Sequence, residues 1–243
     1  ELDFLQKLLA RPVHERLTTL VERKAVVLKR DDLTAELLSL WNASGHYADA
    51  AAILDTRVFH PWEGGEGKIT GQYLLNQLHR ALQFIERGAF KQATDCLKAA
   101  LRYPDNLGEG RLPGQTDNDI WYLLGYCAEQ AGDAQQAAEY YQLARQGGST
   151  LDAGRYYNDQ PADYLFWQGI ALRKSGNPAQ AEQHFRHFID WAAQHRDDVP
   201  QVDFFAVSLP DLVVLDVSAQ QRHQQHCLFI EALGHLGLGN VSA

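Results

Sequence analysis

The sequence predicts an all-α fold: a solenoid of helical hairpins with long, ordered loops inserted between the repeats. Three observations carry this. Four segments align: 45-GHYADAAAIL-54, 88-GAFKQATDCL-97, 132-GDAQQAAEYY-141 and 176-GNPAQAEQHF-185. Each opens on glycine and sets an alanine (Ala50, Ala93, Ala137, Ala181) four places before a larger residue (Leu54, Leu97, Tyr141, Phe185), and the alanines lie 43, 44 and 44 residues apart. Upstream of each glycine lies a second helix, of which 119-DIWYLLGYCAEQAG-132 is the clearest.

The logic is that of helix-on-helix packing. A spacing of four puts both side chains on one helix face. The alanine admits a neighbouring helix closely and the larger residue fills the space beside it. The glycine ends the preceding helix in a tight reversal.

Taken in order, residues 1–30, including 13-VHERLTTLVERKAVVL-28, fit a leading helix or a preceding repeat that caps the stack. Hairpins are expected over 31–58, 71–103, 118–146 and 162–195. Residues 196–243 form an extended segment plus a last helix, so that 1–243 is one domain.

In the third unit Trp121, Leu124 and Gly125 precede Ala137, Tyr141 and Ala144. This resembles the tetratricopeptide repeat, W-x2-L-G-x2-Y…A-x3-F, with Ala128 at the tyrosine place. The next unit keeps Gly169, Ala181 and Phe185 but has Leu165 at the tryptophan place. A tetratricopeptide unit is about 34 residues long, so each unit here carries roughly ten more, placed between successive hairpins.

The first insertion is 59-FHPWEGGEGKIT-70. Its glycines and lysine invite comparison with a phosphate loop. That motif needs G-x4-G-K-[ST] after a strand. Here Trp62 stands at the first glycine place and Ile69 follows Lys68, so the comparison fails. The other insertions are 102–118, 146–163 and 196–216. Their aromatic residues and prolines argue for order, and long loops of this kind are often functional.

The strings 59-FHPWEGGEGKITGQY-73, 104-PDNLGEGRLPG-114, 156-YYNDQPAD-163 and 204-FFAVSLPDL-212 resemble the C-terminal half of large bacterial proteins of the YphG type. The resemblance implies an N-terminal β-supersandwich, similar to galactose mutarotase domains, ahead of tetratricopeptide-like repeats. It also implies a carbohydrate-metabolism context. It supplies no reaction.

With 45% apolar residues a packed core is available, and a net charge of -9 disfavours nucleic acid and anionic membranes. Cys96, Cys127 and Cys227 read as reduced, buried thiols, which with the lack of a signal peptide suggests the cytoplasm. A start at Glu1 and the absence of methionine suggest a piece of a longer protein. The segment 233-LGHLGLGN-240 reads as the first helix of a further unit, and weak self-association through that end is expected.

The candidate binding residues are Trp62, Glu66, Glu109, Arg111, Tyr122, Tyr126, Tyr157, Asp159, Phe166 and Asp211. The loop carboxylates, with Glu63, could work in pairs as acid and base; the plainer reading has them accepting backbone N–H groups. In a tetratricopeptide stack, Asp119, Tyr122, Tyr126 and Glu129, and in the next unit Asp163, Phe166, Ile170 and Arg173, would face the groove, a mixture suited to a peptide or a sugar. The alternative is that these rings pack under the loops. His184 with His187, and His223 with His226, lack a third metal ligand at helical spacing, so no metal and no cofactor is assigned. The stretch therefore reads as an interaction or scaffold module rather than an enzyme by itself. It would bind a partner protein or its own N-terminal domain. The alternative is an accessory part of a carbohydrate-active enzyme, its loops completing a sugar site, with direct sugar binding through Trp62, Tyr156 and Tyr157 as a third reading.

Overall fold

The computed structural model describes residues 2–153, 159–200 and 218–240. These form helices and turns, with no strand among them. None of the helices is long and apolar enough to cross a membrane. The chain divides into two compact units, Glu1–Arg111 and Leu112–Ala243.

The first unit holds α1 (Leu2–Leu8), α2 (Val13–Glu22), α3 (Lys24–Val27), α4 (Asp31–Ala43), α5 (Tyr47–Leu54), α6 (Lys68–Glu86), α7 (Phe90–Ala100) and a 3-10 turn at Asp105–Leu107. Helices α4 and α5, and α6 and α7, pack as antiparallel hairpins. Gly45 and Gly88 make the reversals at φ 77 and 69°, where only glycine sits without strain. Leu37, Leu38, Trp41, Leu54, Phe59 and Tyr73 fill the core.

The second unit holds α8 (Asn118–Gln130), α9 (Ala134–Ala144), α10 (Tyr164–Lys174), α11 (Pro178–His195) and α12 (Ala219–Leu238). Helix α8 pairs with α9, α10 with α11, and α12 lies on α11. The four alanines that mark the repeat, and the four larger residues after them, are all buried. The reason is visible in the second unit. A Cβ on Gly125 would lie 2.6 Å from the Tyr141 ring, and one on Gly169 would lie 2.4 Å from the Phe185 ring. The first helix is bare where the second helix lays its aromatic residue.

Several local details refine this picture. The stretch 13–28 holds two helices, α2 and α3, and the Arg23 guanidinium between them donates to the Thr19 carbonyl (3.2 Å). Lys68, Ile69 and Thr70 belong to α6 rather than to the insertion, because Gly67 at φ 73° turns the chain into the helix three residues early. Pro161 lies outside α10, in a turn closed by Tyr164 N to Pro161 O (3.0 Å). Asn42, near the end of α4, is buried and donates to Gln72 O (3.1 Å) and Gln72 Oε1 (2.9 Å), while Asn76 donates to Asn42 Oδ1 (2.9 Å).

Candidate functional site

In the first unit the two insertions fasten to each other. Asn106 Nδ2 donates to Leu54 O (2.8 Å) and Arg57 O (2.7 Å), and Phe59 N returns a bond to Asn106 O (2.7 Å). Gly108 at φ 79° lies so close that a Cβ there would come within 2.6 Å of Phe59 O. The Glu109 carboxylate then accepts from Gly67 N at 3.2 and 3.0 Å and from the Thr70 hydroxyl at 3.3 Å. A helix N-terminus attracts an anion. At α6 the protein supplies that anion itself, as a cap reaching from the next insertion.

Trp62 is half-buried against the core, its ring where a Gly65 side chain would stand. Arg111 lies 5.5 Å from the Tyr103 ring centre and donates to Ala100 O (3.5 Å) at the end of α7. Glu66 is half-buried in the turn before α6, and Glu63 is exposed. Asp31, at the start of α4, holds the exit of α5: it accepts from the Arg57 guanidinium (2.5 Å) and from His60 N (2.9 Å). Trp62, Glu109 and Arg111 thus take part in packing and capping within the first unit. Asp159 is exposed; Tyr156, Tyr157 and Asp211 lie outside the described residues.

The second unit brings groove residues together. On α8 and the neighbouring α10, Tyr122 sits between the rings of Tyr141 (5.5 Å) and Trp167 (5.4 Å), and Phe166 bridges Trp167 (5.9 Å) and Phe185 (5.6 Å). Two turns beyond, the Glu129 carboxylate accepts from Lys174 Nζ (2.8 Å) and the Tyr141 hydroxyl (2.5 Å). The hydrogen bond from Lys174 is the chief reason the Glu129 carboxyl titrates below its usual range. Burial, and then the Glu129 carboxylate, push the Tyr141 phenol up. Tyr126 and Ile170 are half-buried on the same two helices; Arg173 is exposed and donates to the Gly237 carbonyl of α12. Trp167 and Lys174 were not singled out from sequence. The run 166-FW-167 was the one available signal, and Lys174 carried none.

Asp119 is buried at the start of α8, its Oδ1 accepting from Ile120 N (2.8 Å). Burial, reinforced by the like charges of Asp117 and Asp163, raises its pKa to about 6. Asp163 is pushed up by burial as well.

Three of the four paired histidines hold carbonyls. His184 Nε2 meets Leu165 O (2.8 Å), His223 Nε2 meets His195 O (2.6 Å), and His226 Nε2 meets Leu151 O (2.6 Å). A carbonyl only accepts, so each ring carries its proton on Nε2. Among the described residues no group of three His, Cys, Asp or Glu is placed to hold a metal ion. Cys96, Cys127 and Cys227 are buried, and none of them is in a disulfide.

Comparison with protein families places a match to the tetratricopeptide repeat over residues 119–146. That span is the α8–α9 hairpin, including Gly125 and the Tyr141 ring that lies on it. This part of the chain is tetratricopeptide-like, and the α10–α11 hairpin repeats its glycine-and-aromatic device.

Proposed function

We propose that the chain is a protein-interaction module whose working surface is the α8–α10 strip of Tyr122, Tyr126, Glu129, Phe166, Arg173 and Lys174. One observation carries the reading: half-buried aromatic side chains lie beside an exposed, hydrogen-bonded Glu129–Lys174 pair on the first helices of two adjacent hairpins. Repeats of this kind use first-helix faces as extended binding surfaces. An apolar floor with polar groups at its rim suits a peptide segment that offers both a side chain to bury and backbone groups to bond.

A sugar would need an open ring face to stack on. Tyr122 has Tyr141 and Trp167 against it, which favours the peptide reading. The resemblance to YphG-type bacterial proteins names the first partner to try, an N-terminal β-supersandwich of the same protein. None of the three cysteines is in a disulfide, which is compatible with a reducing, cytoplasmic setting.

The test is site-specific photo-crosslinking in the cell. A photoreactive residue at Tyr126 or Arg173 should give one discrete protein adduct, and one at Glu139, on the exposed side of α9, should not. Equal labelling at all three positions, or none, overturns the proposal.

A further inference from the structure

The charge of this chain is not spread evenly. Residues 1–111 hold 15 lysines and arginines against 15 aspartates and glutamates, and residues 112–243 hold 7 against 16. The whole net charge of -9 therefore falls on the second unit, the one that carries the aromatic strip. A surface dominated by one sign draws partners of the other and rejects its own.

Within that unit the charge has a local focus. Asp119 stands one turn before Tyr122 on α8, and Asp163 one turn before Phe166 on the neighbouring α10, so each carboxylate continues the face of the ring that follows it. The charge of Asp163 is felt at Asp119. Among the described residues no lysine or arginine pairs with either, and the positive group acting on Asp163 is His226. Helix capping does not account for them. Asp163 stands at the N-cap of α10 and makes no side-chain capping bond. Asp119, only 7% exposed, accepts from the N–H of Ile120, its own neighbour. A carboxylate buried without a cation costs stability, and such breaches of the rules for a stable core are expected at functional sites.

The cations of the strip lie at its other end and are engaged: Lys174 with Glu129 (2.8 Å), and Arg173 with the Gly237 carbonyl. Asp119 and Glu129 are ten residues apart, as are Asp163 and Arg173. That is about 15 Å along a helix, which an extended peptide covers in about four to five residues. Resting on the reading of this strip as a peptide site, we propose that its partner segment is cationic. A lysine or arginine of the partner sets its charge against Asp119 and Asp163, and apolar neighbours follow over Tyr122 and Phe166. The stem of such a side chain is itself apolar and suits rings that lie beside carboxylates.

Fluorescence anisotropy with three pools of labelled nonapeptides tests this. Each pool mixes Leu, Phe, Ala and Gly with one further set: Lys and Arg, Ser and Gln, or Asp and Glu. The cationic pool should bind, less tightly as salt rises, and the other two should not. Replacing both carboxylates, Asp119→Asn with Asp163→Asn, removes charge without bulk; the variant should melt no lower than the parent and bind the cationic pool at least about tenfold more weakly. Tyr126→Ala should weaken it as well. Removing two exposed charges on the second helices, Glu139→Gln with Glu182→Gln, should not. A cationic pool that fails to bind, a preference for either other pool, or undiminished binding by the doubly substituted Asn chain overturns the proposal. So does an equal loss from the Glu139 and Glu182 pair, which would mean diffuse attraction to an acidic unit. The photo-crosslink at Tyr126 separates this inference from the reading beneath it. An adduct that forms equally well in the Asn chain leaves the strip a peptide site and removes the cationic partner, whereas no adduct in the parent removes the strip itself.

Discussion

Replacing Asp119 by asparagine should stabilise the protein at neutral pH, and by an amount that depends on pH. Burial and two neighbouring aspartates raise its pKa from 3.8 to about 6. Between those values the folded state binds the proton and the unfolded state does not. The benefit of the protonated form is therefore present at low pH and is lost as pH rises through 6. Above that, both states are ionised and the folded one bears the cost of a buried charge, about 2 pKa units or roughly 3 kcal/mol. Asparagine keeps an oxygen for Ile120 N–H, now at 2.8 Å, and removes the charge. It adds an amide donor in a buried place, which costs ~1–2 kcal/mol if unpartnered. The expected net gain for Asp119→Asn at pH 7.5 is about 1–2 kcal/mol. At pH 4.5 Asp119 is already protonated and the gain should vanish. Urea unfolding followed by tryptophan fluorescence at both pH values reads it. A variant less stable than the parent at pH 7.5, or a difference identical at the two pH values, would refute the reasoning.

Four further outcomes follow from the same geometry. Glu109→Ala leaves the Gly67 N–H and the Thr70 hydroxyl without their shared acceptor and should cost about 1–2 kcal/mol, read by urea unfolding, with Glu109→Gln milder. Gly169→Ala puts a methyl 2.4 Å from the Phe185 ring and should cost about 1–3 kcal/mol despite a better helix propensity; Phe185→Leu in the same chain should recover part of it. Lys174→Met should move the Glu129 carboxyl back up toward its ordinary range, seen by NMR titration, while stability shifts by no more than ~1 kcal/mol because the pair is partly exposed. Burial lowers the His184 pKa against the opposing pull of Leu165 O, so its neutral-ring contribution is full above pH 6.5 and is lost as pH falls; an NMR titration of the ring placing its midpoint at or above 6.5 would contradict this.

The hairpins were legible because they depend on near neighbours in sequence. Gly132 with Ala137 and Tyr141 fixes a reversal and a packing face within ten residues, and the same grammar recurs at Gly176. The strip on α8 and α10 was legible only in part. Tyr122 and Tyr126 followed from helix phase once Trp121 was assigned its place. Trp167 and Lys174 act across 45 residues, as in the bond from Lys174 to Glu129, and no local pattern marks such a pair. The acids of the insertions were legible in kind but not in partner. Glu109 accepts a backbone N–H, as the plainer reading has it, but the N–H belongs to the N-terminus of α6, some 40 residues earlier, and no local pattern marks it.

That long reach has a common cause. A helix leaves its last four carbonyls unpaired, and an insertion between hairpins prevents the following helix from covering them directly. The protein answers with side-chain donors brought from far along the chain. Asn106 serves Leu54 and Arg57 across the first insertion; Asn118 serves Ala144 O (2.8 Å) and Gln146 O (2.6 Å). Gln168 serves Gln146 O (3.0 Å) and Gly148 O (3.2 Å), and His223 serves the end of α11. Residue types that suggest ligand chemistry in a linear reading, His184, His223 and His226 among them, are here drawn to carbonyls. Tyr122 and Tyr126 differ from them in lying in the middle of a first helix rather than at its end, on the face where the proposed partner would meet them.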